Sequence, residues 1–513
     1  MIIYDTTLRD GTQNKDVNLT VRDKVEFAKI LDDFKADYIE LGWPGSNPKD
    51  MEAFLEASKL KFNHAKIAAF CSTRKKELKA NEDPNLRAVL DSKAAAAAVF
   101  GKTWILHIER QLKASKDENL DAISDSIKFL KKSNLEVFFD AEHFFDGFKD
   151  DKEYALECLK KAVDAGASCI VLCDTNGGCL PDEILGIVNE VRAAFPDAQL
   201  GIHCHNDSGC AVANTLIVAG KVNHIQGTIN GVGERCGNAD LCQILPNIVL
   251  KKNIQINADL SKLKEVSDKF NILANIKPQP NQPFVGKNAF SHKGGVHVDA
   301  LSKGASYEHI DPEAVGNSRD IVLSDLSGSA NIVEAVKQFG VNADKKDPRI
   351  KEMLDEVKLL EKKGYDIGDL EAEKYLLANK HFLKKDPLFT INGWKIISEN
   401  IDGELYSECI MDGNVNGSKI DVIAPVKEQG PVDAAYDAFK KLLASFRQLD
   451  DIKLINYKVM IAEDKGAESS VRVYIEFSNN GNEWATIGVN ENILSASLEA
   501  IEKGFRYYLL RFC

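Results

Sequence analysis

Two histidines separated by one residue are the strongest candidates for chemistry in this sequence. His203 and His205 lie in "GIHCHND", and residues two apart on a strand share a face. Two imidazoles and one carboxylate form a common divalent-metal site with positions open for a substrate. An HxH pair by itself, however, more often marks two hydrogen-bonded core histidines. The pair therefore needs a carboxylate brought close by the fold.

Arg9 and Asp10, in "IIYDTTLRDGTQ", are a second candidate pair. Asp10 could supply the missing carboxylate. Arg9 is always charged and only donates hydrogen bonds, so beside a metal-bound carbonyl it could hold a carboxylate or a developing oxyanion. The alternative is a surface ion pair, worth less than ~1 kcal/mol.

Further polar residues follow other apolar runs. "FFDAEH" offers Asp140, Glu142 and His143, and "CDTNGG" offers Asp174, Thr175 and Asn176. The glycine-rich "GVGERCGN" is weak evidence for a phosphate site, and a tight turn explains its glycines equally well. Its Asn238 could reach a metal or a metal-bound water.

The elements that must position these residues alternate between strands and helices up to about residue 275. Eight strand-like runs are spaced by roughly 30 residues: "MIIYD", "DYIELG", "KIAAF", "KTWILHI", "LEVFFDAE", "SCIVLCDT", "QLGIHCH" and "HIQGTINGVG". Eight βα units in this length predict a (β/α)8 TIM barrel, with an open doubly wound sheet as the alternative. The fourth strand is thus expected to end near His107. In a barrel, the ends of strands one and seven meet at the active-site face, which would bring Asp10 to the histidines.

The rest of the chain predicts two further domains. "IKPQPNQPF" at 276–284 reads as a domain exit, and the following segment is mostly helical. From about residue 388 a βββα pattern occurs twice, which indicates a duplicated α+β domain. We therefore expect a catalytic barrel at 1–275, a mostly helical linker at 276–387 and a ligand-binding or dimerisation domain at 388–513.

Composition limits the possible partners and location. The 513 residues carry a net charge of −13, which argues against nucleic acid or an acidic membrane surface as a partner. No apolar run reaches the ~18 residues of a membrane helix, and the N-terminus has no signal-peptide pattern. Eleven scattered cysteines without a CxxC pair are typical of a reducing compartment. A cytoplasmic protein is expected.

Three motifs in this order resemble one enzyme family. "DTTLRDGTQ", "GIHCHND" and "GVGERCGNADL" are similar to those of the 2-isopropylmalate, homocitrate and citramalate synthases, and the resemblance covers nearly the whole chain. The duplicated module looks like the family's allosteric domain. The resemblance implies a homodimer and a divalent metal (Mn²⁺, Zn²⁺ or Mg²⁺). It also implies feedback inhibition, with isoleucine as the expected inhibitor.

The resemblance assigns roles position by position. The metal ligands would be Asp10, His203, His205 and Asn238. Catalytic roles would fall to Arg9, Glu142, His297 and Tyr307, the last two completing the partner subunit's site. The substrate pocket would be formed by Arg9, Asp140, Glu142 and Thr175.

The linker narrows the expected reaction. "SHKGGVHVDALSKGASYEHIDPEAVGN", "FFDAEHFFDGF" and "DLSGSANI" look most like the citramalate-forming type, which condenses acetyl-CoA with pyruvate. The main alternative is the isopropylmalate-forming type, which uses 2-ketoisovalerate. A hydroxymethylglutaryl-CoA-type lyase is usually shorter, and a carboxyltransferase works with a biotinyl domain whose "MKM" motif is missing here. A decayed scaffold would not be expected to keep Arg9, Asp10, His203 and His205.

Overall fold

The computed structural model describes residues 1–294, 300, 307–368, 370–386, 388–449, 451–463 and 469–512. They form two compact units. The first comprises Met1–Phe290 and Ile310–Ser318, and the second Ser291–His309 and Arg319–Cys513. The predicted boundary at 387 lies inside the second unit, so the division into three domains stays a prediction.

The first unit contains the predicted barrel. Its strands are β1 Ile2–Asp5, β2 Tyr38–Gly42, β3 Lys66–Ser72, β4 Ala96–Lys102, β5 Glu136–Glu142, β6 Cys169–Asp174, β7 Leu200–Cys204 and β8 His224–Gly227. All neighbours pair in parallel, and β8 pairs with β1 to close the sheet, Ile2 opposite His224 and Asp5 opposite Gly227. The eight-stranded parallel barrel is confirmed.

Helices surround the strands. They are α1 Val21–Asp33, α2 Pro48–Ala57, α3 Pro84–Asp91, α4 Ile105–His107, α5 Lys116–Lys132, α6 Phe144–Asp150, α7 Lys152–Asp164, α8 Pro181–Ala194, α9 Ala211–Val218, α10 Leu241–Pro246 and α11 Leu263–Leu273. Local sequence fixes several starts: Thr20 with Asp23, and Ser115 with Glu118, form capping boxes. Proline opens α2, α3 and α8, where its missing N–H costs nothing.

Two apolar layers hold the barrel. One lies between strands and helices, and the other fills the lumen, where Tyr4 packs on Tyr38 and Phe138 with ring centroids 5.7 and 5.4 Å away. His224 joins this layer 5.1 Å from Tyr4. The lumen is therefore a packed core that supports the strand ends.

The predicted fourth strand was wrong. The run 102–108 begins where β4 ends, and Ile105–His107 forms a helical turn instead. The strand is "AAAVFGK", whose alanines have the highest intrinsic helix propensity. Pairing with β3 and β5 overrides that propensity, because the lumen has room for small side chains at Ala96 and Ala98.

The second unit begins with helical segments and ends with the duplicated module. Its helices are α12 Ser329–Lys337, α13 Pro348–Lys362, α14 Glu371–Ala378, α15 Pro431–Leu442 and α16 Ile493–Phe512, and β9 Ser291–His292 pairs with β10 Asp320–Ile321. β11 Phe389–Ile401, β12 Glu404–Val415 and β13 Ser418–Lys427 form one antiparallel sheet before α15. β14 Lys453–Glu463, β15 Ser470–Asn479 and β16 Asn482–Asn490 form another before α16. The βββα duplication is confirmed.

Within the described ranges, no helix has both the length and the apolar character needed to cross a membrane.

Candidate active site

The turn after β1 holds Arg9 and Asp10 at the carboxyl end of the barrel. The amides of Arg9 and Gly11 both donate to Thr6 O at 3.1 Å, which folds the chain back sharply. Thr6 in turn donates to Gly227 O at the end of β8, from its amide at 2.9 Å and its hydroxyl at 3.1 Å. Arg9 and Asp10 are thus tied to the strand that closes the barrel.

The glycine-rich loop carries Asn238 back beside β7. His205 and Asn238 form an antiparallel bridge, and the amide of Ala239 donates to Cys204 O at 2.9 Å. Gly237 has φ +92°, and a Cβ there would lie 2.1 Å from Gly231 O, so the loop requires glycine. A tight turn that places Asn238 beside β7 therefore explains the glycines, and a phosphate site is not required to account for them.

Asp10, His203 and His205 come together as the sequence predicts. Their possible ligand atoms all lie within 4.8 Å of one another. Oδ2 of Asp10 is 3.4 Å from Nε2 of His203 and 3.8 Å from Nε2 of His205, and the two Nε2 atoms are 3.3 Å apart. All three side chains are buried, so they are not surface polar groups. The short distances among them, with a carboxylate within reach of both imidazoles, distinguish them from two separate core histidines.

The residues fit a divalent metal. Asn238 donates from Nδ2 to Oδ1 of Asp10 at 3.0 Å, while its buried Oδ1 has no hydrogen-bond partner in the described chain. A buried amide oxygen without a partner is costly unless it meets a cation or water. Burial alone would raise the pKa of Asp10, but Arg9 and the two histidines hold that pKa well below its ordinary value. The site therefore offers one ionised carboxylate, two imidazoles and a free amide oxygen.

Arg9 bridges two carboxylates beside this cluster. Its Nε donates to Glu40 at 2.5 Å and its Nη1 to Asp10 at 3.1 Å. The guanidinium carbon lies 3.7 Å from the centre of the Phe70 ring. Arg9 is 8% exposed and Glu40 fully buried, so the surface ion-pair alternative is excluded. The arginine is a rigid donor that faces the cavity.

One cavity contains the metal cluster, Arg9 and the predicted substrate residues. Its wall is formed by Arg9, Asp10, Gln13, Trp43, Phe70, Phe100, Asp140, Glu142, Cys173, Thr175, His203, His205 and Glu234. Burial raises the pKa of Asp140 to about 7, and the nearby charge of Glu40 adds to the shift. Thr175 accepts the amide hydrogen of His143 at 2.9 Å. The predicted Asp140, Glu142 and Thr175 all line the same cavity as the metal cluster.

The two predicted linker residues lie outside the unit that contains this cavity or outside the described part of the chain. His297 lies outside the described residues. Tyr307 belongs to the second compact unit, where its side chain is 51% exposed. Their roles at a partner's site stay predictions.

Sequence reasoning missed several residues of the site. The buried Lys102 forms an ion pair with the partly exposed Glu142, and it was overlooked because the fourth strand was misplaced. Gln226 hydrogen-bonds His203, and the alternation of "HIQG" could have revealed it, since His224 and Gln226 share the inward face. No local sequence pattern indicated that the cavity has an aromatic wall, which is formed by Trp43, Phe70 and Phe100.

Comparison with known proteins agrees with this geometry. The HMGL-like family model matches residues 1–269, which contain the whole cavity. The (R)-citramalate synthase of Geobacter sulfurreducens is 44% identical over 99% of this chain and 97% of its own length. The (R)-citramalate synthase of Aquifex aeolicus is 43% identical over 99% of this chain and 98% of its own. The chain belongs to the (R)-citramalate synthase family.

Other comparisons cover the remainder of this citramalate synthase family member. The homocitrate synthase post-HMGL domain-like model matches residues 284–365, and the LeuA allosteric (dimerisation) domain model matches 370–509. The 2-isopropylmalate synthase of Methanocaldococcus jannaschii is 32% identical over 99% of the chain and 95% of its own length. The predicted family is confirmed, and the isopropylmalate-forming relative is more distant.

Proposed function

We propose that this chain catalyses the condensation of acetyl-CoA with pyruvate and the hydrolysis of the resulting thioester, which yields (R)-citramalate and free CoA. One observation carries the proposal: three ligand side chains and Arg9 share a cavity in a chain that matches citramalate synthases along 99% of its length. The main alternative is the same condensation with 2-ketoisovalerate.

Asp10, His203 and His205 would hold a divalent ion, with the free oxygen of Asn238 beside them. Such an ion acts as a Lewis acid on the ketone oxygen of a 2-oxo acid. Mn²⁺, Zn²⁺ and Mg²⁺ are all compatible with this donor set, with Mg²⁺ the least suited to imidazole.

The protein's own groups would handle binding, protons and charge. A base removes a proton from the methyl group of acetyl-CoA, and we assign this role to His297 of the partner subunit, assisted by Tyr307. The resulting carbanion attacks the ketone carbon of pyruvate, and the carbonyl electrons move to oxygen. Arg9 would stabilise that oxyanion, because its guanidinium is already fixed by Glu40 and Asp10. Water then cleaves the thioester.

The aromatic wall supports a small substrate. Phe70 and Phe100 are stacked with ring centroids 5.0 Å apart, and Trp43 meets both edge-on at 5.4 and 5.5 Å. Rings locked in this way leave little freedom to admit an isopropyl group in place of a methyl group. Isopropyl exceeds methyl by two carbons, and each methylene is worth ~1–3 kcal/mol of discrimination, so we expect a strong preference for pyruvate.

Release of CoA tests the proposal directly. The full-length protein with acetyl-CoA and Mn²⁺ is assayed by thiol titration with pyruvate, 2-oxobutyrate, 2-ketoisovalerate and 2-oxoglutarate in turn. The highest kcat/KM is expected with pyruvate. His203→Ala should abolish turnover, whereas His64→Ala, remote from the cavity, should retain it. Preference for 2-ketoisovalerate would instead establish the isopropylmalate-forming reaction.

Regulation and location complete the proposal. We propose a cytoplasmic homodimer that isoleucine inhibits through residues 388–513. The match of 370–509 to an allosteric (dimerisation) domain supports this, and all ten cysteines in the described ranges are free. At α15, the amide of Gly430 already donates to Asp433 at 3.1 Å, so an anion would have to displace that carboxylate. Calorimetric titration that detects no binding of isoleucine would reject the regulatory part alone.

A further inference from the structure

A chain of three buried side chains crosses the barrel lumen behind the metal cluster. Nε2 of Gln226 donates to Oδ1 of Asp140 at 3.1 Å, and Oε1 of Gln226 lies 2.8 Å from Nδ1 of His203. Gln226 is 0% exposed, Asp140 4% and His203 5%. β5 and β8 are separated by β6 and β7, so the contact between Asp140 and Gln226 spans the interior.

The two hydrogen bonds have matched directions. Nε2 of Gln226 donates to Oδ1 of Asp140, which accepts from the amide when the carboxyl is ionised or carries a proton on Oδ2. The NH₂ group of Gln226 thus faces Asp140, and its carbonyl oxygen faces His203. A carbonyl oxygen only accepts, so Nδ1 of His203 must carry the hydrogen.

The tautomer of His203 decides which nitrogen can bind a metal. With the hydrogen on Nδ1, the lone pair of the neutral ring resides on Nε2. Nε2 is the atom 3.4 Å from Asp10 and 3.3 Å from Nε2 of His205. His205 lacks equivalent support, because its buried Nδ1 has no hydrogen-bond partner among the described residues. The two histidines are therefore held differently.

We infer that Gln226, oriented by Asp140, is a positioning residue that holds His203 with its Nε2 lone pair directed at the metal. The inference rests on the proposed function, because it takes the metal to bind at this cluster. It also gives Asp140 a second role besides bordering the cavity. Partners of this kind fix both ring orientation and tautomer, and their loss usually weakens metal binding 10- to 100-fold.

Metal affinity in the absence of substrate tests the inference. The full-length protein is titrated with Co²⁺ against a competing chelator. Gln226→Leu should raise the Kd by about 10- to 100-fold. Gln226→Glu should recover most of the affinity, since one carboxylate oxygen still accepts from Nδ1 while the other shares a proton with Asp140. The matched control is Asn214→Leu, which removes a fully buried amide that donates to Cys179 O outside the cluster, and it should leave the Kd unchanged.

A second measurement covers the case in which Gln226→Leu does not fold. In the wild-type protein loaded with Zn²⁺ and labelled with ¹⁵N-histidine, the signal missing from His203→Ala should show a protonated Nδ1 and a metal-bound Nε2. The opposite tautomer would overturn the inference. A folded Gln226→Leu variant that binds Co²⁺ as tightly as wild type would overturn it as well.

These outcomes separate the inference from the proposed function. If His203→Ala binds Co²⁺ like wild type, the metal site itself is wrong. If His203→Ala loses the metal while Gln226→Leu keeps it, only the positioning role fails.

Discussion

At the scale of single residues, Arg9 shows how burial turns an ordinary ion pair into part of a site. Its charge is taken out of water between Glu40 and Asp10, and the two carboxylates repay the cost of desolvation. Burial alone would lower the pKa of Arg9, but Glu40 and Asp10 raise that pKa above its ordinary value. The guanidinium therefore keeps a fixed charge and a fixed orientation.

Arg9→Lys should lower kcat by about 100-fold, comparable to the loss of one oxyanion donor. Lysine keeps the charge, but a single ammonium cannot reproduce the fork between Glu40 and Asp10. Steady-state CoA release is the measurement. Arg192→Lys on α8 is the control and should retain turnover, because Arg192 donates only to groups remote from the cavity, such as Ala198 O. An Arg9→Lys variant with wild-type kcat would contradict the oxyanion role.

Asp5 gives a pH prediction. Burial raises the pKa of Asp5 to about 7, against the bonds from Thr7, so the folded state binds a proton that the unfolded state has lost above pH ~4. Stability should therefore fall as pH rises from about 4 to 7, by at most ~1.4 kcal/mol per pH unit. Asp5→Asn removes this pH-dependent contribution to the free energy of unfolding. The Tm of the variant minus that of wild type should therefore be larger at pH 8 than at pH 5. An equal Tm difference at both pH values would refute the prediction.

At the scale of elements, a buried ion pair joins α1, α2 and the loop after β2. Nζ of Lys24 lies 2.6 Å from Asp50 and 3.2 Å from Leu41 O. The other oxygen of Asp50 accepts the amide of Trp43 at 2.9 Å. Two helices thus hold the segment that carries Trp43 of the aromatic wall.

Lys24→Met should destabilise the fold by about 3 kcal/mol, because it leaves the buried carboxylate of Asp50 without its cation. Lys59→Met is the control. It removes a pair with Glu56 in which both side chains are largely exposed, so its effect should stay below about 1 kcal/mol. Thermal or denaturant unfolding measures both. Equal Tm shifts for the two variants would show that the buried pair contributes no more than the exposed one.

At the scale of the whole molecule, the proposed dimer makes a prediction about shared sites. If His297 serves the partner's metal, His203→Ala and His297→Ala homodimers should both be inactive. In a mixed dimer of the two variants, one active site lacks both His203 and His297. The other active site retains both histidines. Random mixing gives one half heterodimers, so co-expression should restore about a quarter of wild-type turnover.

Analytical ultracentrifugation provides the matching mass measurement, with twice 56.7 kDa expected. Co-expressed variants that form this dimer and remain inactive would show that each subunit builds its site alone.

The sequence by itself determined the barrel, the duplicated module and most of the metal cluster. Period-two alternation placed His203 and His205 on one face, and the repeat of βα units implied that strand one meets the same face. Such patterns are local. The topology of a closed parallel barrel then brings the ends of strands one and seven to the same face. The strand ends and the glycine-rich loop singled out Asn238, Glu142 and Thr175, and the family motifs assigned roles to them.

Only the tertiary structure decided the position of β4, the partners of Arg9 and the contact between Asp140 and Gln226. The alanines of β4 favour a helix by intrinsic propensity, and only the neighbouring strands make them a strand. Residues 140 and 226 are 86 positions apart, and no local pattern reports a hydrogen bond across a barrel lumen. That contact depends on how strands separated in sequence pack against one another. The hydrogen bonds behind the metal cluster are therefore visible only in the tertiary structure.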